Sequence, residues 1–295
     1  MSLIGDVNGD RVITMQDAKD IADYIVGKRD SINIPNADLD SDSQITIRDA
    51  ARIADHVAGI QLLDTPFRIR TIFTDPTNFL NEDDKRVINQ AIAKWNGIIT
   101  NAVYNTYLYD IVVYVDIVTR DANILASAGP YVPSSSINGK FIPYAGVLEL
   151  NTSNWRFQMS DVKANGETTA YRTVVHELAH IFGIGTLWWE NRLLDSYGWY
   201  IGENALREYR NYFNDQSFVA IPVENDGGPG TAGGHLEEGT QVGASINDRT
   251  RDGKFYPGLN RDLLTGWAER DDGPEPLTKI SIGLLEDCGY KVKYE

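Results

Sequence analysis

Five residues, His176-Glu-Leu-Ala-His180, carry the strongest chemistry in this chain. On a helix, positions i and i+4 lie one turn apart on one face, so both imidazoles point the same way with the Glu177 carboxylate beside them. That spacing suits two nitrogen ligands to one Zn2+ ion and a general base for its water. A catalytic zinc site needs three protein ligands and an open fourth position. The chain has four histidines: His56, His176, His180 and His235. His235, in Gly233-Gly-His-Leu-Glu-Glu238, alone lies outside both the motif and the N-terminal region, which makes it the first candidate for the third ligand. Asp195 and Glu203 are acidic alternatives.

The motif needs a helix, and the pattern supplies one. It starts near Glu167 or Thr168, with Ala170, Val174, Leu178 and Ile181 on one side and His176, His180 and Gly183 on the other. The aliphatic side packs on a sheet while the histidines line a cleft. Gly183 argues for a turn there, not a continuing helix. Around it, Phe67–Phe73 alternates like a half-buried strand, and Asn81–Ile99 is an amphipathic helix with Val87, Ile88, Ala91, Ile92 and Trp95 on its stripe. Asp110–Thr119 reads as a central strand, and Gly146–Asn151 as a short one.

The first sixty residues hold a repeat. Gly5-Asp-Val-Asn-Gly-Asp-Arg-Val-Ile-Thr-Met-Gln-Asp-Ala18 returns as Ala37-Asp-Leu-Asp-Ser-Asp-Ser-Gln-Ile-Thr-Ile-Arg-Asp-Ala50. Oxygen side chains fall at loop positions 1, 3, 5 and 12: Asp6, Asn8, Asp10 and Asp17, then Asp38, Asp40, Asp42 and Asp49. Position 7, Val12 or Gln44, offers a backbone carbonyl. Two EF-hand-like loops for two structural Ca2+ ions follow from this spacing. Arg11 and Ser43 stand where such loops favour glycine, so the turn at position 6 carries strain. Each loop feeds a short helix expected to stop at Gly27 or Gly59.

Composition bounds the rest. At 295 residues and 42% hydrophobic content, the chain can bury one large core and one small one. A net charge of −15 disfavours nucleic acid and anionic membranes as partners, although bound calcium would offset part of it. Cys288 is the single cysteine, so no internal disulfide forms and cysteine usage does not reveal the compartment. No stretch is long and apolar enough to span a bilayer. The opening Met-Ser-Leu-Ile leads straight into acidic sequence and reads as having no signal peptide.

Two resemblances extend this reading. The paired loops, the aspartate at position 12 and the loop-then-helix order resemble dockerin domains over roughly residues 4–62. That likeness implies a cohesin-type scaffold partner contacted near Met15, Gln16, Ile47 and Arg48. A calcium clamp that only stabilises the rest of the chain is the alternative. His176-Glu-Leu-Ala-His-Ile-Phe-Gly-Ile-Gly-Thr-Leu-Trp188, Gly233-Gly-His235, Asp262-Leu-Leu-Thr-Gly266 and the tail Pro276–Tyr290 resemble the leishmanolysin family of metzincin metallopeptidases over about residues 65–295. In compact metzincins the third histidine follows the glycine by three residues, where this chain has Thr186; in leishmanolysins a long insertion intervenes.

By that likeness His176, His180 and His235 bind zinc, Glu177 is the base, and Gly146, Val147, Leu148 and Glu149 form a substrate-aligning edge strand. Leu264 replaces the methionine of the family's turn beneath the metal, with modest effect on rigidity expected. Trp188, Trp189 and Tyr200 are candidate pocket walls.

The implied architecture is an α/β (α+β) metzincin-like domain, residues 63–295, with a twisted mixed sheet and an active-site helix. A small all-α calcium-binding domain, residues 1–62, precedes it. The implied function is zinc-dependent endopeptidase action on protein substrates, at an extracellular or cell-surface location. The alternative is a catalytically silent adhesion or scaffold protein that keeps the fold.

Overall fold

The computed structural model describes residues 4–39, 44–59, 68–102, 110–132, 136, 139–239, 249–268 and 273–294. The chain divides into two compact units. One is Met1–Arg68 with Asn101–Asp110; the other is Ile69–Thr100 with Ile111–Glu295.

The first unit contains helices α1 (Met15–Ile25), α2 (Ile34–Ala37) and α3 (Ile47–Val57). Thr14 and Thr46 cap α1 and α3 through reciprocal bonds with Asp17 and Asp49, three residues on. Both helices give way to left-handed glycines, Gly27 and Gly59, as the sequence predicts. Val7, Ile13, Ala18, Ile21, Ala37, Ala50 and Ile53 make the core between them.

The larger unit is built on a four-stranded mixed sheet. Its strands are β1 (Arg68–Thr74), β3 (Asp110–Val118), β4 (Ala126–Tyr131) and β5 (Ala145–Asn151), in the order β1-β3-β5-β4. Strand β5 runs parallel to β3 and antiparallel to β4. A short strand β2 (Ile99–Ala102) pairs with β8 (Tyr290–Val292), and β6 (Thr250–Arg251) with β7 (Lys254–Phe255). Helices α4 (Glu82–Ile98), α5 (Trp155–Ser160), α6 (Thr169–Ile181), α7 (Glu203–Tyr212) and α8 (Lys279–Cys288) complete the unit.

Residues 146–149 are therefore not an edge. Strand β5 is hydrogen-bonded on both sides, so its backbone groups are already used by β3 and β4. The terminal strand on that side is β4. Gly146 has a different purpose: a Cβ there would come within 2.5 Å of Ile181 Cγ2, so the glycine lets the end of α6 lie close on the sheet. Glu149 pairs with Arg120 at 2.5 Å and accepts from Ser127 at 2.8 Å.

Helix α6 is the element the site depends on. Thr168 caps it, and Ala170, Val174, Leu178 and Ile181 are buried without exposure. Trp95 of α4, also fully buried, donates its indole N–H to the Val175 carbonyl at 3.0 Å and meets the Phe182 ring edge-on at 5.4 Å. Burying an aromatic side chain of this kind contributes about 2–3 kcal/mol. Trp188 and Tyr200, expected as pocket walls, instead pack against each other in the core at 5.1 Å, while Trp189 is exposed.

Gly146→Ala should force a methyl group into Ile181 and lower stability by about 1–3 kcal/mol. A thermal melt would detect this, and an unchanged melting temperature would refute the close-approach account.

Candidate metal centre

Three imidazoles meet at one point. His176 and His180 come from α6, and His235 from the segment after the Gly-rich turn at 227–234. Their Nε2 atoms lie 3.1, 3.2 and 3.1 Å apart. Each Nδ1 faces a backbone carbonyl: Leu263 at 2.7 Å for His176, Ile184 at 2.9 Å for His180 and Thr231 at 2.9 Å for His235. A carbonyl can only accept, so each Nδ1 must donate, and each neutral ring then turns a bare Nε2 lone pair inward.

Three lone pairs at that distance repel unless a cation lies among them. For zinc at its usual distance from imidazole nitrogen, tetrahedral angles require ligand separations of ~3.3 Å, close to those seen. The residues present therefore fit such an ion. Among the described residues they are the one group of three or more His, Cys, Asp or Glu side chains whose donor atoms all close within 4.8 Å.

Local sequence explains the convergence. The left-handed Gly183 ends α6 and turns the chain so that the Ile184 carbonyl reaches back to His180. Thr186, which occupies the compact third-ligand position, bonds the His180 carbonyl at 2.7 Å through its hydroxyl. Gly185 is also left-handed, and a Cβ there would collide with the Gly234 carbonyl oxygen. Glycine at 185 thus admits the His235 segment. Gly266 is similar, because a Cβ would come within 2.5 Å of Thr231 and 3.6 Å of the His235 ring.

The turn at 262–265 lies against the cage. Its Leu263 carbonyl orients His176, and Leu264 is buried. Asp262 anchors the turn: it accepts from the Leu264 amide at 2.8 Å, the Thr278 hydroxyl at 2.6 Å and the Ser281 hydroxyl at 2.6 Å, tying the turn to the start of α8. The turn at 262–266 and the stretch holding Gly185 are among the motifs of the resemblance, but it gives no role to Asp262, Leu263, Gly185 or Thr231.

The acidic alternatives lie elsewhere. Asp195 accepts from the Tyr197 and Trp199 amides and pairs with Arg251, and Glu203 is exposed at the start of α7.

Burial sets the electrostatics. It holds all three imidazoles below the ordinary histidine range, His180 at about 3, and their mutual repulsion adds to the effect at His180 and His235. Burial also pushes the Glu177 carboxyl, on the same helix face, up to about 8. A dication held by the imidazoles would draw that value down again.

The first N-terminal loop is shaped by its own acids. Asp6 accepts from the Gly9 amide at 2.7 Å and the Arg11 amide at 3.1 Å, Asn8 from Asp10 at 2.8 Å, and Asp10 from Val12 at 2.9 Å. Asp17 accepts from Val7 at 3.0 Å and Thr14 at 2.9 Å, closing the ring from position 12. Arg11 has φ 72°, the strained left-handed conformation expected at position 6.

Asp49 repeats the pattern with Leu39 and Thr46, both at 2.8 Å. Asp38 and Gln44 belong to the described part of the second loop, whereas Asp40, Asp42 and Ser43 lie outside the described residues. Met15, Gln16, Ile47 and Arg48 are exposed at the starts of α1 and α3.

Residues 4–58 match the dockerin type I domain, and dockerin domains bind calcium. No curated protein matches the chain.

The imidazoles give a pH signature. A ring kept neutral when folded gains its proton on unfolding, so below pH 6.5 the unfolded chain holds more protons and stability is lost as the pH is lowered. The metal-free protein should lose melting temperature from the ordinary histidine value downward, continuing toward about pH 3 for His180. His180→Gln should flatten that slope. Equal slopes in melts of the two proteins would contradict the assignment.

Proposed function

We propose that the larger unit is a zinc-dependent endopeptidase of metzincin type, and that the dockerin domain couples it to a cohesin-type scaffold outside the cell. The peptidase reading rests on three bare imidazole nitrogens facing one another, with Glu177 on the same helix. His176, His180 and His235 would hold the ion, and their neutrality would leave its double positive charge uncompensated. Zinc, when bound, supplies a Lewis acid that polarises the scissile carbonyl and lowers the pKa of water toward ~7.

Glu177 flanks the ligands without serving as one. Its carboxylate accepts a proton from water and delivers it to the departing amine nitrogen. The Leu263, Ile184 and Thr231 carbonyls hold the three rings in the tautomer that binds. Strand β4, terminal in the sheet, offers backbone groups for an extended peptide.

Glu177→Gln should retain one zinc per chain while lowering casein hydrolysis by about 10²–10⁴-fold. Metal analysis alongside the protease assay tests this. Equal activity in both proteins, or no activity in a fully zinc-loaded native chain, would defeat the peptidase reading.

For the N-terminal domain, position-12 aspartates, loop-then-helix order and the match over residues 4–58 support a calcium-dependent docking module. Dockerin domains bind cohesin scaffold partners and are typical of extracellular or cell-surface assemblies. The exposed pairs Met15–Gln16 and Ile47–Arg48 present equivalent surfaces for such a partner. Cohesin capture should require calcium, vanish with a chelator and weaken in the Met15→Asp, Ile47→Asp double variant. Calcium binding without any capture would leave a stabilising clamp, and no binding at millimolar calcium would exclude both.

A further inference from the structure

The strand pair that delivers His235 also buries carboxylate oxygens without close partners. Residues 222–224 run antiparallel to 235–237: the Glu224 amide donates to the His235 carbonyl and the Glu237 amide to the Pro222 carbonyl, both at 3.0 Å. Strand alternation places Glu224 and Glu237 on one face, opposite Val223 and Leu236. Each glutamate is 1% exposed. Glu224 Oε1 accepts from the Asn225 and Asp226 amides at 3.0 and 3.1 Å. Glu224 Oε2, Asp226 Oδ2 and both carboxylate oxygens of Glu237 are buried without a hydrogen-bond partner.

These acids bear on one another. Glu224 and Asp226 are the negative neighbours felt by Glu237, and Arg249 is the positive one. Arg249 forms no ion pair with Glu237; its guanidinium lies over the Phe255 ring at 4.9 Å. Buried carboxylates in a folded protein are hydrogen-bonded, paired or bound to metal. Among the described residues Glu237 has no ion pair, and the Gly239 amide is its one backbone neighbour, too loosely placed to satisfy either carboxylate oxygen.

We propose that Glu224, Asp226 and Glu237 hold a calcium ion, separate from the ions of the N-terminal loops and from the imidazole cage. Carboxylate oxygens without nitrogen or sulfur select a hard cation. Magnesium keeps several waters, which a site this buried does not favour, whereas calcium accepts six to eight protein oxygens in loose geometry. The three carboxylates do not close to a common 4.8 Å shell, and neither do Asp6, Asp10 and Asp17 of the dockerin loop. The ion would clamp the strands that carry His235, so calcium would support the cage without touching it.

Terbium(III) tests the site in the full chain, with zinc present to occupy the imidazoles. Residues 1–62 contain no tryptophan, whereas Trp267 packs against Gly227, next to Asp226. Tryptophan-excited terbium emission that Asp226→Asn lowers therefore belongs to this site. Emission should saturate at one site and be displaced by calcium. Glu237→Gln and Asp226→Asn should each weaken terbium binding about tenfold or more. If Glu237→Gln fails to fold, the milder Asp226→Asn decides.

A native chain giving no tryptophan-excited emission, as expected if a shared proton or Arg249 satisfies the acids, would overturn the proposal. Unchanged emission in the variants would also overturn it. Neither result depends on peptidase activity.

Discussion

Three backbone carbonyls determine what the larger unit can do. By accepting from Nδ1 of His176, His180 and His235, they fix each tautomer and leave three lone pairs aimed at one another. The carbonyls come from three places: the turn after α6, the Gly-rich turn before His235, and the 262–265 turn held by Asp262. Most of the surrounding structure sets those carbonyls in register. Trp95 fixes α6 from one side and Gly146 brings it down on the sheet. Asp262 joins the third turn to the start of α8 through the Thr278 and Ser281 hydroxyls and the Thr278 amide.

The two units solve opposite coordination problems. The cage offers few, neutral, nitrogen donors, a set that would keep a bound ion's charge available for chemistry. The N-terminal loops use many charged oxygens, which neutralise the ion and gain folding free energy from it. In the latter, Asp17 and Asp49 serve twice: each caps a helix and closes a loop. Binding an ion there is thus linked to where the helix begins.

Much of this was legible in the residues. Helical periodicity and caps are local, so α4 and α6 lie within a residue or two of their predicted bounds, and α1 and α3 stop just before Gly27 and Gly59, although they begin inside the loops and not after them. The third imidazole of the cage was legible for a different reason, scarcity: with His56 in the small unit, His235 was the one histidine left to join the motif. Strand order was not legible, because whether β5 has one neighbour or two depends on β4, which no local pattern reveals. The same limit applied to Trp188 and Tyr200, whose aromatic character suits a pocket or a core equally well. Orienting carbonyls leave no trace in sequence at all, since every residue carries one.

Gly185 and Gly234 have a consequence beyond the cage. Where two backbones touch with no side chain between them, the chain from one glycine to the other becomes a loop stapled at its base. The cost of closing such a loop rises only with the logarithm of its length. The exposed parts of the intervening stretch can therefore grow or shrink while His235 stays in place, provided the base, the Thr231 carbonyl, the pairing of 222–224 with 235–237 and the core contacts of α7 with α8 are kept. The long separation between the second and third histidines then becomes a site where new surface can be added to an unchanged centre.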